Sequence, residues 1–315
     1  MSSTVQKNKT WPVIFGIVGV IVIILPFFTG PYVQSIGRTV ITYMILAISW
    51  DMLIRSGQLS FGLAGFFGLG SYAAVLSAVN LHFNPFVSIL FAAVVAGLMA
   101  FLVGAVVLRL RGMYFAITTL ALGEIFRIII HNWTSVTGGP NGKLLPKLAF
   151  DGASIPTYAM MVVFALVIIA LSEYFKRSKI HYALTAIRDN EIVAKSSGIN
   201  IYKYLLIAFT VTAAIQGAAG AGFAQLYGFV TPESSFNANY TLIPLAMALL
   251  GGMYSTWGPV IGAVLLGVLG EFLKLYIPYG HLVVYGIIII LVLLFMPQGI
   301  VGMAGKLLKK GESHE

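Results

Sequence analysis

Runs of roughly twenty consecutive apolar residues recur along almost the whole chain, the length a helix needs to cross the hydrocarbon of a bilayer. Backbone in lipid must satisfy its own hydrogen bonds, so such runs are read as helices. Composition agrees: 59% of the 315 residues are hydrophobic, 9% are charged, and mean hydropathy is +0.94. A water-soluble domain of this size needs far more charge to cover its surface. The expected architecture is an all-α, polytopic transmembrane helix bundle.

The pattern predicts ten spans: Trp11–Phe28, Thr39–Ile54, Ser60–Val79, Pro85–Leu108, Met113–Ile130, Tyr158–Tyr174, Tyr204–Tyr227, Leu242–Met253, Pro259–Ile277 and Leu282–Phe295. The eighth is short enough to be re-entrant, because GGMYSTWGP follows it at once. No small-residue cleavage site follows Trp11–Phe28, so it reads as a retained span rather than a signal peptide. Residues 1–10 and 303–315 then form cytoplasmic tails, the second of them basic, on either side of a transmembrane domain at 11–302.

Basic residues test this count. With the N-terminus inside, fourteen of the nineteen Lys and Arg fall inside, from Lys7 to Lys310. Arg38, Lys143 and Lys147 fall outside, and Arg127 and Lys274 lie within spans. This bias predicts an N-in, C-in topology with an even number of spans. It also accounts for the net charge of +9 without nucleic acid, since the basic residues sit in short loops. No cysteine is present, which excludes disulfides and thiolate metal sites. The longest outer loop, His131–Thr157, carries TGGPNGK, a tight turn by composition. Its spacing fails the phosphate-loop pattern, with Leu144 where a hydroxyl residue is required.

Small residues mark helix contacts. Gly57, Gly62, Gly65, Gly68 and Gly70 crowd GQLSFGLAGFFGLGSY. Ala213, Gly217 and Ala221 recur every four residues, as do Ala214, Ala218 and Gly222. Such stripes let backbones approach where lipid supplies no hydrophobic drive. Packing alone explains most of them. The glycine density after Gln58 and Ser60 adds a second reading, in which the third span is broken and lines a pathway.

Polar residues within spans are few. Glu124 and Arg127 are three apart on one helix face, and so are Glu271 and Lys274. The surrounding strings match, LGEIFR and LGEFLK, and each is preceded by GMY at the inner side. This hints at related halves, a common transporter plan. A structural ion pair is the preferred reading of both pairs over a substrate ligand. Candidate translocation-path residues are Gln58, Ser60, Gly62, Gly65, Glu124, Arg127, Gln216 and Glu271, with Asp51 a further interior contact.

The polar segment Ser178–Lys203 falls inside. Read as one helix, Ile180–Ser197 puts Ile180, Ala183, Leu184, Ile187 and Ala194 on one arc. Thr185, Arg188, Asp189, Lys195 and Ser196 lie opposite, Ile192 interrupts the polar side, and Gly198 ends the helix. An amphipathic helix of this kind suits docking into a groove of a soluble partner, or simply lies at the surface or the lipid interface.

EIVAKSSG, with Glu191, Ala194 and Gly198, resembles the EAA signature of ABC-importer permeases, departing at Ile192. AIRDNEIVAKSSGINIYKYLLIAF, GQLSFGLAGFFGLGSYAA, LRLRGMYFAITTLALGEIFR, TGGPNG and GGMYSTWGPVIGA together resemble the LivM-type permeases of branched-chain amino acid importers, from about Ile36 to Gly302. Many members carry a histidine near the position of Leu63, and a glycine where Arg55 stands. The resemblance implies a multi-pass permease subunit of a prokaryotic inner membrane, not itself an enzyme and with no cofactor. It implies a second, LivH-like permease, two cytoplasmic ATPases that hold the ATP and Mg, and an external substrate-binding protein. It makes the segment before Gly198 the coupling helix, with Ile187, Arg188, Asp189, Glu191, Ile192, Ala194 and Gly198 facing the ATPase. The alternatives are an ion-coupled secondary transporter, with Glu124 or Glu271 binding the proton, a urea or amide permease, and a passive channel. No nucleophile–base pair or metal cluster supports an intramembrane enzyme.

Overall fold

The computed structural model describes residues 30–277 and, beyond them, 280, 283, 284, 286, 287, 290, 294 and 299–302. The predicted span Trp11–Phe28 and both tails lie outside the described residues, and so does most of Leu282–Phe295.

The helices run in the order α1 (Pro31–Ile54), α2 (Leu63–Asn80), α3 (Pro85–Val107), α4 (Met113–Asn132), α5 (Thr134–Thr137), α6 (Ser154–Lys176), α7 (Lys179–Asp189), α8 (Glu191–Ser196), α9 (Ile201–Tyr227), α10 (Pro232–Ser235), α11 (Asn239–Gly251) and α12 (Trp257–Tyr276). Seven of these described helices, α1, α2, α3, α4, α6, α9 and α12, are long and apolar enough to cross a membrane. Two short strands were not foreseen: β1 (Lys143–Leu144) pairs antiparallel with β2 (Phe229–Val230) and ties the TGGPNGK turn to the end of α9.

Local chemistry sets the ends. Proline stands in the first turn of α1 and α3, where its missing N–H costs no hydrogen bond. Asn84 caps α3 by accepting the Val87 N–H at 2.9 Å. α1 begins at Pro31 rather than Thr39, because the polar Gln34, Ser35 and Arg38 that lower its hydropathy are still helical.

α1, α2 and α9 are mostly buried at the centre, with α3, α4, α6 and α12 exposed around them. The central contact is backbone on backbone. A Cβ on Gly70 would lie 2.0 Å from the Gly217 carbonyl, and one on Gly220 would lie 1.9 Å from that of Phe67. The small residues of α2 and α9 are therefore a packing device, as their spacing suggests. Rings fill the space around it: Phe66 meets Phe126 and Phe209 edge-on, and Phe67 stacks on Tyr240 with centroids 4.1 Å apart.

Two of the predicted spans differ from simple continuous helices. The third span is helical only from Leu63, and residues 58–62 before it are not helical. In the eighth, α11 has 13 residues and ends at a turn through Gly252, whose φ of 116° only glycine adopts readily.

Candidate functional site

The segment at 178–203 forms an elbow rather than one helix. α7 starts at Ser178, whose hydroxyl accepts the His181 N–H. The chain becomes extended at Asn190, with φ −159° and ψ 108°. Asn190 Oδ1 then accepts the N–H groups of Ile192 (3.0 Å) and Val193 (3.1 Å) and starts α8. The single helix expected over Ile180–Ser197 is thus two helices. The cause is that an asparagine before a glutamate satisfies the first N–H groups of a new helix better than it serves an existing one.

α8 ends in a paired C-terminal cap. Gly198 N–H donates to Lys195 O at 3.0 Å and Ile199 N–H to Ala194 O at 3.1 Å, with Gly198 at φ 81°. The apolar arc faces the bundle: Ala183, Leu184, Ile187 and Ala194 are buried. Ile192 is 78% exposed and Val193 59%, so the tip of the elbow presents two apolar side chains outward. Glu191 pairs with Arg111, from the turn before α4, at 2.9 Å, both half exposed. Burial, with Arg55, Lys176 and Arg188 nearby, lowers the pKa of His181 below the usual histidine range, so its neutral form is favoured.

Behind the elbow lies a buried charge pair. Asp51 and Arg55, four apart at the end of α1, are both fully buried, with Arg55 Nη2 donating to Asp51 Oδ2 at 2.7 Å and Nε to the same oxygen at 2.9 Å. Arg55 Nη2 also reaches Ser172 Oγ of α6 (3.2 Å) and Thr256 Oγ1 before α12 (3.4 Å). The other Asp51 oxygen accepts the Tyr254 N–H at 2.6 Å. Arg55, placed in a loop by its charge, is thus interior.

The non-helical stretch 58–62 follows directly. Irregular backbone buried in the bundle has to be satisfied by the protein. Trp50 Nε1 donates to Ser60 O at 2.9 Å, and Thr119 Oγ1 of α4 accepts the Phe61 N–H at 3.0 Å. Thr241 Oγ1 of α11 accepts the Ala64 N–H at 3.0 Å, and Ser60 Oγ accepts that of Gly62 at 3.2 Å. Gln58 and Ser60 are buried, and Gln58 Oε1 makes no hydrogen bond among the described residues.

The remaining candidates disperse. Gly62 and Gly65 pack against Thr119 and Gly123 of α4, and Gln216 Nε2 donates to Ser49 Oγ of α1 at 3.3 Å. Glu124 and Arg127 form the expected ion pair on the exposed side of α4, extended by Glu233 of α10, 3.9 Å from Arg127 Nη1 and 3.4 Å from His131 Nδ1. Glu271 and Lys274 pair at 2.6 Å on α12, beside a small cleft lined by Tyr43 and Met247. No hydrogen bond or ion pair among the described residues joins the two pairs. Sequence reasoning passed over Ser172, Tyr254, Thr256 and the Arg111–Glu191 pair. Only the four-residue spacing of Asp51 and Arg55 was legible as a signal; the rest depends on contacts distant in sequence.

The family model described as branched-chain amino acid transport system / permease component matches residues 32–293. The high-affinity branched-chain amino acid transport system permease protein LivM of Escherichia coli is 32% identical, over 92% of this chain and 75% of its own. LivH of Salmonella typhimurium is 32% identical, over 56% of this chain and 60% of its own. A probable LivM of Methanocaldococcus jannaschii is 29% identical, over 79% and 80%. No solved structure matches.

Proposed function

The chain belongs to the family of branched-chain amino acid transport system permease components, and on that premise we propose how it works as the membrane-spanning subunit of an ATP-driven importer. It is a LivM-type, multi-pass membrane permease. Its substrates are branched-chain or closely related small amino acids. A LivH-like permease completes the membrane unit, two cytoplasmic ATPases bind ATP and Mg, and an external binding protein delivers substrate. The chain itself has no ATPase site and no cofactor, and crosses the membrane ten times with both ends in the cytoplasm.

The observation that carries this reading is the elbow of α7 and α8. It buries its apolar arc against the bundle and turns Ile192 and Val193 outward. Exposed apolar side chains beside Glu191 and Lys195 suit an apolar anchor with a polar rim in an ATPase groove. Movement of the ATPases then shifts the spans between outward- and inward-facing states. Glu124 and Arg127 support pairing with a second permease. Charges on the exposed side of a span are expensive against lipid and are expected to face protein or water.

Uptake of radiolabelled leucine tests the reading. It is expected to follow cellular ATP and to survive an uncoupler while ATP is held constant. Gly198→Pro and Glu191→Lys are expected to abolish uptake with membrane insertion intact. Uptake that collapses with the proton gradient alone would sink the proposal and favour ion coupling.

A further inference from the structure

We infer that Tyr254 is a positioning residue that transmits movement of α7 to the buried Asp51–Arg55 pair, and so to the junction between α1 and α2. The inference rests on the importer reading above, because it needs α7 to be moved by a partner.

Tyr254 touches both sides at once. Its φ of 65°, rare outside glycine, directs the peptide N–H inward to Asp51 Oδ1 at 2.6 Å. Its ring points the other way and lies under the Arg188 guanidinium of α7, 4.3 Å from Cζ to the ring centroid. Arg188 also packs against the turn after α1, where a Cβ added to Gly57 would lie 3.2 Å from Arg188 Cγ. The end of α7 therefore touches both the turn after α1 and the Tyr254 loop.

That loop is short and anchored. α11 and α12 meet through backbone on either side of it, since a Cβ on Gly251 would lie 1.7 Å from the Gly258 carbonyl. Thr256 Oγ1 is 2.9 Å from Ser172 Oγ, and both lie within reach of Arg55 Nη2. A pull on the ring that moves the loop must then either break the bond to Asp51 or carry the end of α1 with it. The pair resists intermediate positions, because two charges in a dry interior cannot be partly separated without large loss. Arg55 Nη1 is buried with no hydrogen bond among the described residues, so the guanidinium keeps a donor for a second arrangement. The element that would shift is α1, which ends at Ile54 and leads through the turn 55–57 into the non-helical stretch 58–62. A packed junction with two discrete arrangements is the physical requirement for transmission of this kind.

The test uses the whole transporter purified with its partner subunits, in liposomes, with leucine uptake and ATP hydrolysis measured together. Tyr254→Leu removes the ring but keeps the backbone N–H. It is expected to lower leucine moved per ATP by roughly tenfold, near the upper range of couplings carried by such contacts, with hydrolysis continuing and the subunits still co-purifying. Tyr254→Phe keeps the ring face and is expected to stay within about twofold of the unmodified ratio. Arg188→Met should lower the ratio as Tyr254→Leu does, and the double variant should fall no further than either. An unchanged ratio in Tyr254→Leu, independent losses in the double variant, or a Tyr254→Leu complex that falls apart would each overturn the relay. If the unmodified complex moves leucine without ATP, the importer reading fails and takes the relay with it. If its uptake is ATP-driven and Tyr254→Leu keeps its ratio, the relay alone fails.

Discussion

Asp51 and Arg55 show how much one buried pair can organise. Neither side chain touches solvent, and the second Asp51 oxygen is committed to the Tyr254 N–H. Such a pair need not be more stable than an apolar one, but removing one partner strands the other. Asp51→Asn keeps an acceptor for Tyr254 and leaves Arg55 charged. It is expected to destabilise the protein by about 3–5 kcal/mol, read as a lower melting temperature in detergent. Asp51→Asn combined with Arg55→Gln should recover part of that loss; no difference between the single variant and the unmodified chain would show that the pair carries no stability. His181 behaves differently. Burial and its cationic neighbours lower its pKa, so the unfolded chain binds a proton at a higher pH than the folded one does. Stability therefore rises with pH between the lowered folded value and the ordinary histidine value of about 6.5, and is flat above it. Melting temperatures from acid to neutral pH should show this slope, and His181→Gln should flatten it. An identical slope in the variant would remove His181 from the account.

At the scale of elements, the elbow depends on its two caps. Asn190 starts α8 and Gly198 ends it, and the helix they bound has only the six residues Glu191–Ser196. So short a helix has little stability of its own and relies on capping and on the burial of Ala194. Asn190→Ala should cost about 1 kcal/mol locally, seen as roughly fivefold faster hydrogen exchange at the Ile192 and Val193 amides. Unchanged exchange would mean that packing alone holds the helix. The periodicity of 180–197 showed the buried face correctly and missed the break, because a turn of chain can keep apolar residues on one side without continuing the helix.

At the scale of the molecule, the charges of α4 stand on its exposed side. Glu124, Arg127, His131 and Glu233 form one cluster joining α4 to α10. Glu124→Gln leaves Arg127 only the more distant Glu233, and is expected to reduce yield and thermal stability while preserving the order of preference among leucine, isoleucine and valine. A changed order in a well-expressed variant would make Glu124 a substrate contact. The matching strings GMY and LGE in the two halves also find a partial explanation. Both glycines, Gly112 and Gly252, have positive φ, but α4 starts at Met113, whereas the second copy passes through the Tyr254 turn before α12 starts at Trp257.

Hydropathy alone was enough to place most of the long helices, since lipid imposes a length and an apolar face that can be read residue by residue. Glycine and alanine spacing marked α2 and α9 as closely packed helices, close approach being a property of residue size, but only the tertiary structure showed that they meet each other. The burial of Arg55 and the role of Tyr254 were not legible. A charge at the end of an apolar run looks like a loop charge until helices far away in sequence enclose it. Only the tertiary structure brought Ser172, Tyr254 and Thr256 around Asp51 and Arg55, because their hydrogen bonds join parts of the chain more than a hundred residues apart.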